Sequence, residues 1–311
     1  MARITVLCGG LGGSRFVDAL ARAAPPESVT AIGNVGDDLE IHGLHVSPDL
    51  DTVLYTLAGL LDEGRGWGVR NESYGALGMV EALGAETWFT LGDRDIGLHL
   101  VRTERLRAGE PLSDVFARLA ERLGVRVRLL PVSDDPVRTI LTTADGELDF
   151  QTWFVRRRHA DGVLAVRYHG AEEARPAPGV LEAIADADVV YLAPSNPFVS
   201  IGPILAVPGV ADAVAERAGP VVAVSPLVAG KALRGPLAQM LETLGHEAGA
   251  LGVARLYEGL ASTFVLDPAD AALAPAVEAL GLEAVVTPIV MVDPAVRGDV
   301  GRAILEATVP A

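Results

Sequence analysis

Ile4-Thr5-Val6-Leu7-Cys8-Gly9-Gly10-Leu11-Gly12-Gly13-Ser14-Arg15-Phe16 is the stretch that decides the fold. Ile4 to Leu7 is an apolar run that reads as a strand. Four glycines then crowd into five positions, and a helical pattern begins at about Ser14. Strand, glycine turn and helix start together form a cradle for an anion. Glycines let backbone N–H groups approach closely, and the helix N-terminus adds partial positive charge. The bland alternative is a tight turn that packs helix against strand. The spacing matches neither the dinucleotide fingerprint nor the Walker loop, and no Gly-Lys-Ser/Thr occurs anywhere, which argues against an ordinary P-loop ATPase.

An acidic segment follows the second strand-like run. Asn34, Asp37 and Asp38 come first, and Ser47-Pro48-Asp49-Leu50-Asp51-Thr52 opens a helix. Four aspartates thus fall within fifteen residues, close in sequence to the glycine turn. One aspartate before a helix is commonly a cap. Several beside a phosphate cradle suit a hard cation, because bare carboxylates would repel the anion. His42 and His45 share the stretch, but Gly43 breaks helical spacing between them and no cysteine accompanies them, so a zinc pair is not expected.

Further out, strand-like runs alternate with helical patterns: Val29–Gly33, Val125–Leu129, Val163–Tyr168, Val189–Ala193 and Val221–Ser225, with Thr263–Leu266 and Ala284–Thr287 as late additions. The expected fold is α/β and Rossmann-like, a mostly parallel sheet with helices on both faces. Leu112, Val115, Phe116, Leu119 and Leu123 mark one amphipathic helix. Residues 51–122 carry no convincing strand and are expected to form an inserted helical lobe within one domain spanning residues 1–311. Thr139–Thr143 and Glu147–Phe150, joined by Asp145-Gly146, read as a hairpin.

Three loops offer further chemistry. Leu91-Gly92-Asp93-Arg94-Asp95 reads as a tight turn that is either self-neutralised or presents an arginine to phosphate. Pro131-Val132-Ser133-Asp134-Asp135-Pro136 either caps a neighbour or acts directly. Ala193-Pro194-Ser195-Asn196-Pro197, continuing through Ser200 to Pro203, is a rigid loop of neutral donors and acceptors after a strand, suited to a base or a diphosphate. Composition mainly excludes. A net charge of −16 gives no basic field for coating nucleic acid. No apolar run approaches the ~18 residues that span a bilayer. Cys8 is the single cysteine, so no internal disulfide forms, and a cytoplasmic location is expected.

These blocks, in this order, resemble the 2-phospho-L-lactate transferase family of coenzyme F-420 biosynthesis, including its phosphoenolpyruvate transferase branch. The resemblance is carried by Gly9 to Gly13, Ser47 to Tyr55, Leu91 to Asp95, Leu130 to Pro136, Pro194 to Ile204 and Val224-Ser225-Pro226. It implies a magnesium-dependent transfer of a phosphoenolpyruvyl or 2-phospho-L-lactyl group. The donor would be a guanosine diphosphate ester and the acceptor the ribityl hydroxyl of 7,8-didemethyl-8-hydroxy-5-deazariboflavin, with GMP released. On this reading Gly10, Leu11, Gly12, Gly13, Ser195, Asn196 and Ser200 hold the guanosine diphosphate. Asp49 and Asp51 hold magnesium, Asp51 and Arg94 meet the deazaflavin, and Asp51, Asp93 and Arg94 form the catalytic set with Asp51 as base. A homodimer is expected by the same resemblance. One rival is a nucleotide-sugar-binding regulatory protein of the gluconeogenesis-factor type. The other, a nicotinamide-dependent oxidoreductase, is disfavoured by the glycine spacing and by Gly33-Asn34 at the end of strand two.

Overall fold

Seven short segments, most of them rich in valine and isoleucine, come together as one parallel sheet. The computed structural model describes residues 2–232 and 235–309. Its strands are β1 (Ile4–Cys8), β2 (Val29–Gly33), β3 (Arg128–Pro131), β4 (Val189–Leu192), β5 (Val221–Val224), β6 (Thr263–Leu266) and β7 (Glu283–Val286). They lie side by side as β7-β6-β5-β4-β1-β2-β3, and every pairing is parallel. β1, β4, β5 and β6 are buried at every position, as strands covered on both faces must be. The edge strands are more exposed, and Pro131 sits where an edge tolerates a missing N–H.

The strand order reverses between β1 and β4. The chain winds outward from β1 through β2 to β3, then returns beside β1 and winds the other way. Connections leaving the carboxyl ends of β1 and β4 therefore diverge and open a crevice, the usual ligand position in such sheets. This is the Rossmann-like sheet expected from the sequence.

Helix α1 (Gly10–Ala23) begins earlier than the sequence pattern indicated. The glycines form its first turn instead of a loop ahead of it, with Gly10 at φ +64°. α1 crosses the last helix, α6 (Arg297–Thr308), where Gly301 has no side chain; a Cβ there would collide with the Ala19 carbonyl. The buried Arg297 locks this crossing through Asp18 at 3.1 Å and Glu63 at 2.7 Å.

Between Asp51 and Arg122 the chain contains most of α2 and three further helices; among the described residues its only β pairing is an isolated bridge between Leu61 and Val69. These helices are numbered, in chain order, α2 (Pro48–Leu57), α3 (Gly75–Ala82), α4 (Asp93–Arg107) and α5 (Leu112–Arg122). α5 buries Leu112, Phe116 and Ala120 in the main core, so its amphipathic face serves the sheet.

Two strand expectations change. Ala165–His169 replaces Val163–Tyr168 and pairs with Arg138–Thr143 in a separate antiparallel sheet that also contains Gly146–Asp149. Its alternating exposure suits a one-sided sheet better than the doubly covered main one. The strand expected at Val125–Leu129 lies three residues later, at β3. No helix among the described residues is long and apolar enough to cross a membrane.

Candidate active site

A cavity of about 670 Å³ opens over the carboxyl ends of β1, β4 and β5. Gly9 to Gly12, Asp37, Asp49, Asp51, Tyr55, Asp95, His99 and the loop Pro194 to Asn196 all line it. Its size is ordinary for a small-molecule site. The glycine turn and the acidic cluster, which the sequence reading required to meet, share this one space.

The turn is built by close approach. A Cβ on Gly9 would strike Asp49 Oδ2, and one on Gly12 would strike the Pro194 carbonyl, so both positions need glycine. The N–H of Gly10 donates to Asp49 Oδ1 at 2.6 Å. Leu11 and Gly12 occupy the first helical turn, where N–H groups have no acceptor within the helix, and both line the cavity. Gly13 lies outside the lining; its missing side chain makes room for Ser195 Oγ and Cys8. Gly13 was expected to hold the nucleotide; the structure places it behind the wall, packed on Ser195 and Cys8.

The loop after β4 is rigid because its polar groups are spent on its own turn and on Gly9. Ser195 Oγ donates to the Gly9 carbonyl at 2.7 Å and accepts from the Gly9 N–H at 3.2 Å. Asn196 Oδ1 accepts from the N–H groups of Phe198 and Val199, capping the turn that follows. Ser195, Asn196 and Ser200 nevertheless remain in the cavity wall.

Two acids in the wall face no cation among the described residues. Asp49 Oδ2 accepts from Asn34 Nδ2 at 3.0 Å, and the same amide reaches Asp37 Oδ1 at 3.3 Å. Gln151 Nε2 donates to Asp37 Oδ2 at 3.2 Å. Burial pushes the Asp49 carboxyl up to about 6, although the Asn34 amide, the Gly10 N–H and the Ser200 hydroxyl oppose it. Burial, joined by the negative charge of Asp49 and Asp38, drives Asp37 well above the ordinary carboxyl range. Two buried carboxylates on one amide, without a positive partner among the described residues, are a donor set that fits a hard divalent cation. Among the described residues no group of three or more His, Cys, Asp or Glu side chains is arranged to hold a metal. A cation here would therefore need other ligands, which matches the habit of magnesium to combine one or two carboxylates with water and substrate phosphate.

Asp51 has a different environment from the one expected. Both its oxygens engage the guanidinium of Arg102, which is fully buried. Burial works against the Arg102 charge, yet Asp51 holds the guanidinium firmly protonated. Asp51 is thus already paired, which leaves Asp37 and Asp49 as the two cavity acids with no positive partner among the described residues.

Behind Asp51 runs a buried polar chain. His99 Nδ1 lies 3.8 Å from Asp51 Oδ2, and His99 Nε2 lies 3.1 Å from Asp95 Oδ1, though poorly aligned for donation. The Tyr55 hydroxyl donates to Asp95 Oδ1 at 2.5 Å. Burial opposes ionisation of Asp95, but His99, Tyr55 and Arg102 together keep its carboxyl below the usual range. Asp95, His99 and Arg102 come from one face of α4, at spacings of four and three, and the sequence reading passed over all but Asp95.

Asp93 and Arg94 do not line the cavity. The segment expected as a tight turn is the first turn of α4. Asp93 accepts from Ser73 Oγ at 2.6 Å and from the N–H groups of Gly75 and Ala76, so it caps α3. Glu72 caps α4 in return by accepting from the Arg94 and Asp95 N–H groups. The exposed Arg94 side chain donates to the Arg70 carbonyl at 3.3 Å, just beyond the cavity-lining segment Gly66 to Gly68. Asp134 likewise caps α5 through the Ser113 N–H at 2.6 Å. His42 and His45 belong to the hairpin of Leu39–Ile41 and Leu44–Val46, with His42 in its turn.

Fold and site together define a doubly wound α/β protein with a cavity at its switch point, walled by a glycine turn and buried aspartates. The model of the 2-phospho-L-lactate transferase CofD family matches residues 4–285, and the chain belongs to that family. It is an enzyme, a transferase. A phosphoenolpyruvate transferase of Streptomyces griseus is 46% identical over 98% of both chains. One of Mycolicibacterium smegmatis is 42% identical, again over 98% of each. Among solved structures, protein BH3568 of Bacillus halodurans matches 92% of both chains with a TM-score of 0.62 at 18% identity. A second structure of it, described as a member of the UPF0052 family, gives 0.59 at 17%. That likeness is one of fold alone and lends no weight to the regulatory reading.

Proposed function

We propose that the protein transfers a phosphoenolpyruvyl group from a guanosine diphosphate-linked donor to the ribityl hydroxyl of 7,8-didemethyl-8-hydroxy-5-deazariboflavin in coenzyme F-420 biosynthesis. The hydroxyl oxygen bonds to the distal phosphorus, the bond from that phosphorus to GMP breaks, and GMP departs with the electron pair. The hydroxyl proton is released to water. The carrying observation is the shared cavity, in which first-turn N–H groups of α1 stand with the Asp37–Asp49 pair. The printed name of the relatives favours the enolpyruvyl donor over the lactyl one.

The N–H groups of Leu11 and Gly12 hold the diphosphate, and the Ser195–Ser200 loop bounds the nucleotide. Asp49 and Asp37 would hold magnesium, which when bound neutralises charge on the diphosphate oxygens. Asp51, paired with Arg102, accepts a hydrogen bond from the acceptor hydroxyl and aims it. That role needs less basicity than proton abstraction, and phosphoryl transfer is chiefly a matter of position and charge. Arg94 is assigned to the deazaflavin side on the resemblance, at the rim beside Gly66 to Gly68. The test is incubation with the deazaflavin alcohol, magnesium and each donor, following GMP by mass spectrometry. The enolpyruvyl donor should yield GMP; GMP from neither donor contradicts the proposal.

A further inference from the structure

Arg156, Arg157 and Arg158 stand consecutively after the half-buried pair Phe154-Val155, and of the three only Arg158 lines the cavity. Arg156 is held by Glu86 at 2.6 Å. Arg157 is held by Asp145 at 2.9 Å and by Asp161 at 2.9 Å. Arg158 makes no hydrogen bond or ion pair among the described residues. This is unusual in a chain with a formal charge of −16.

The backbone turns Arg158 out of line with its neighbours. Arg158 has φ +54° and His159 φ +43°, a left-handed pair of residues that both carry side chains. Such residues persist only where surrounding structure over-determines them, and they concentrate at ligand sites. Here the Arg157 N–H donates to the Thr152 carbonyl at 2.9 Å and the His159 N–H to the Trp153 carbonyl at 2.8 Å. The same segment begins at Gln151, whose amide grips Asp37. One rigid piece of chain therefore carries both a support of the acidic pair and an unpartnered guanidinium.

The charge balance of the cavity says what that guanidinium meets. Among the other described basic residues of the wall, Arg15 is tied to Glu63 at 3.0 Å, His99 stands between Asp51 and Asp95, and the His159 ring stacks on Phe154 at 5.5 Å. On the transfer reaction proposed above, the donor carries two kinds of anion: the diphosphate and the carboxylate of its three-carbon acid. The glycine turn and the Asp37–Asp49 pair account for the first. We propose that Arg158 reads the second, pairing its planar N–H fork with the donor carboxylate, and so selects acid-bearing guanosine diphosphate esters.

The test compares three probes by titration calorimetry with magnesium present: guanosine diphospholactate, its carboxamide analogue and GDP. Wild-type protein should bind the acid about 10- to 100-fold more tightly than the carboxamide, the range for one charge-assisted contact. Arg158→Gln should erase that preference while GDP affinity stays within about twofold, and Arg158→Lys should retain part of it. The GDP arm also checks that the variants fold. Equal weakening of GDP and the acid by Arg158→Gln would make the residue a phosphate contact and overturn the proposal; so would a surviving preference for the acid. The two readings fail separately: carboxylate preference in a protein that releases no GMP counts against the transfer reaction and for Arg158.

Discussion

Replacing Asp51 by Asn should damage the fold before it damages the chemistry. Arg102 has no exposed surface, and both Asp51 oxygens serve its guanidinium. Its other contacts are the His45 carbonyl at 3.3 Å, His99 Nδ1 at 3.5 Å and the Phe116 ring, whose centroid lies 4.8 Å away. Removing one partner of a buried pair costs about 3–5 kcal/mol, because the other charge stays buried and unmatched. At roughly 2–4 °C per kcal/mol for a chain of this size, Asp51→Asn should lower Tm by about 6–20 °C. Removing both charges is different, since apolar replacement of a buried pair is often neutral or stabilising. The double variant Asp51→Leu, Arg102→Met should recover most of the lost Tm in differential scanning calorimetry. Its turnover should remain down by about 100-fold or more, the scale of a lost positioning contact. A Tm for Asp51→Asn within about 2 °C of wild type would refute the buried-pair argument, as would full activity in the double variant.

Three further outcomes follow from the same geometry. Stability without ligand should fall as pH rises through the range set by Asp49, at about 6, and Asp38, pushed by burial to about 8. Both folded-state values lie above the unfolded ones, so the folded form binds the extra protons and loses stability as they leave; magnesium with GDP should flatten the slope in thermal melts between pH 5 and 8. Gly9→Ala should weaken GDP binding by at least about tenfold in calorimetry, because the new Cβ occupies the place of Asp49 Oδ2. Gly301→Ala, outside the cavity lining, should cost about 1–3 kcal/mol in denaturant melts by forcing α6 off α1, with GDP affinity unchanged in the folded protein.

Most of the sheet could be read in advance because its central strands are buried on both faces. Runs such as Val189–Leu192 and Val221–Val224 have no polar alternation to confuse them. The hairpin ending at Asp149 was legible from Asp145-Gly146, whereas the strand beginning at Ala165 looked like its main-sheet counterparts until its alternating exposure placed it elsewhere. Density of aspartates correctly marked the region of the cavity, but their division of labour was hidden. Asp51 meets Arg102 across 51 positions, and Asp37 meets Gln151 across 114, contacts that only the tertiary fold creates. The Asp95, His99 and Arg102 face was available from helical spacing alone, and reading Gly92 to Asp95 as a turn concealed it. Asp93 was misjudged for the same reason, since a cap and a catalytic acid look alike before the helices they join are known.

The central claim is that a cation joins the glycine turn and the Asp37–Asp49 pair to a nucleotide diphosphate. Titration of GDP with and without magnesium, in wild type and Asp49→Asn, tests it most directly. GDP should bind wild type at least about tenfold more tightly with magnesium, and the variant should lose that gain. Equal GDP affinity with and without magnesium, or a magnesium effect that survives in Asp49→Asn, would contradict it.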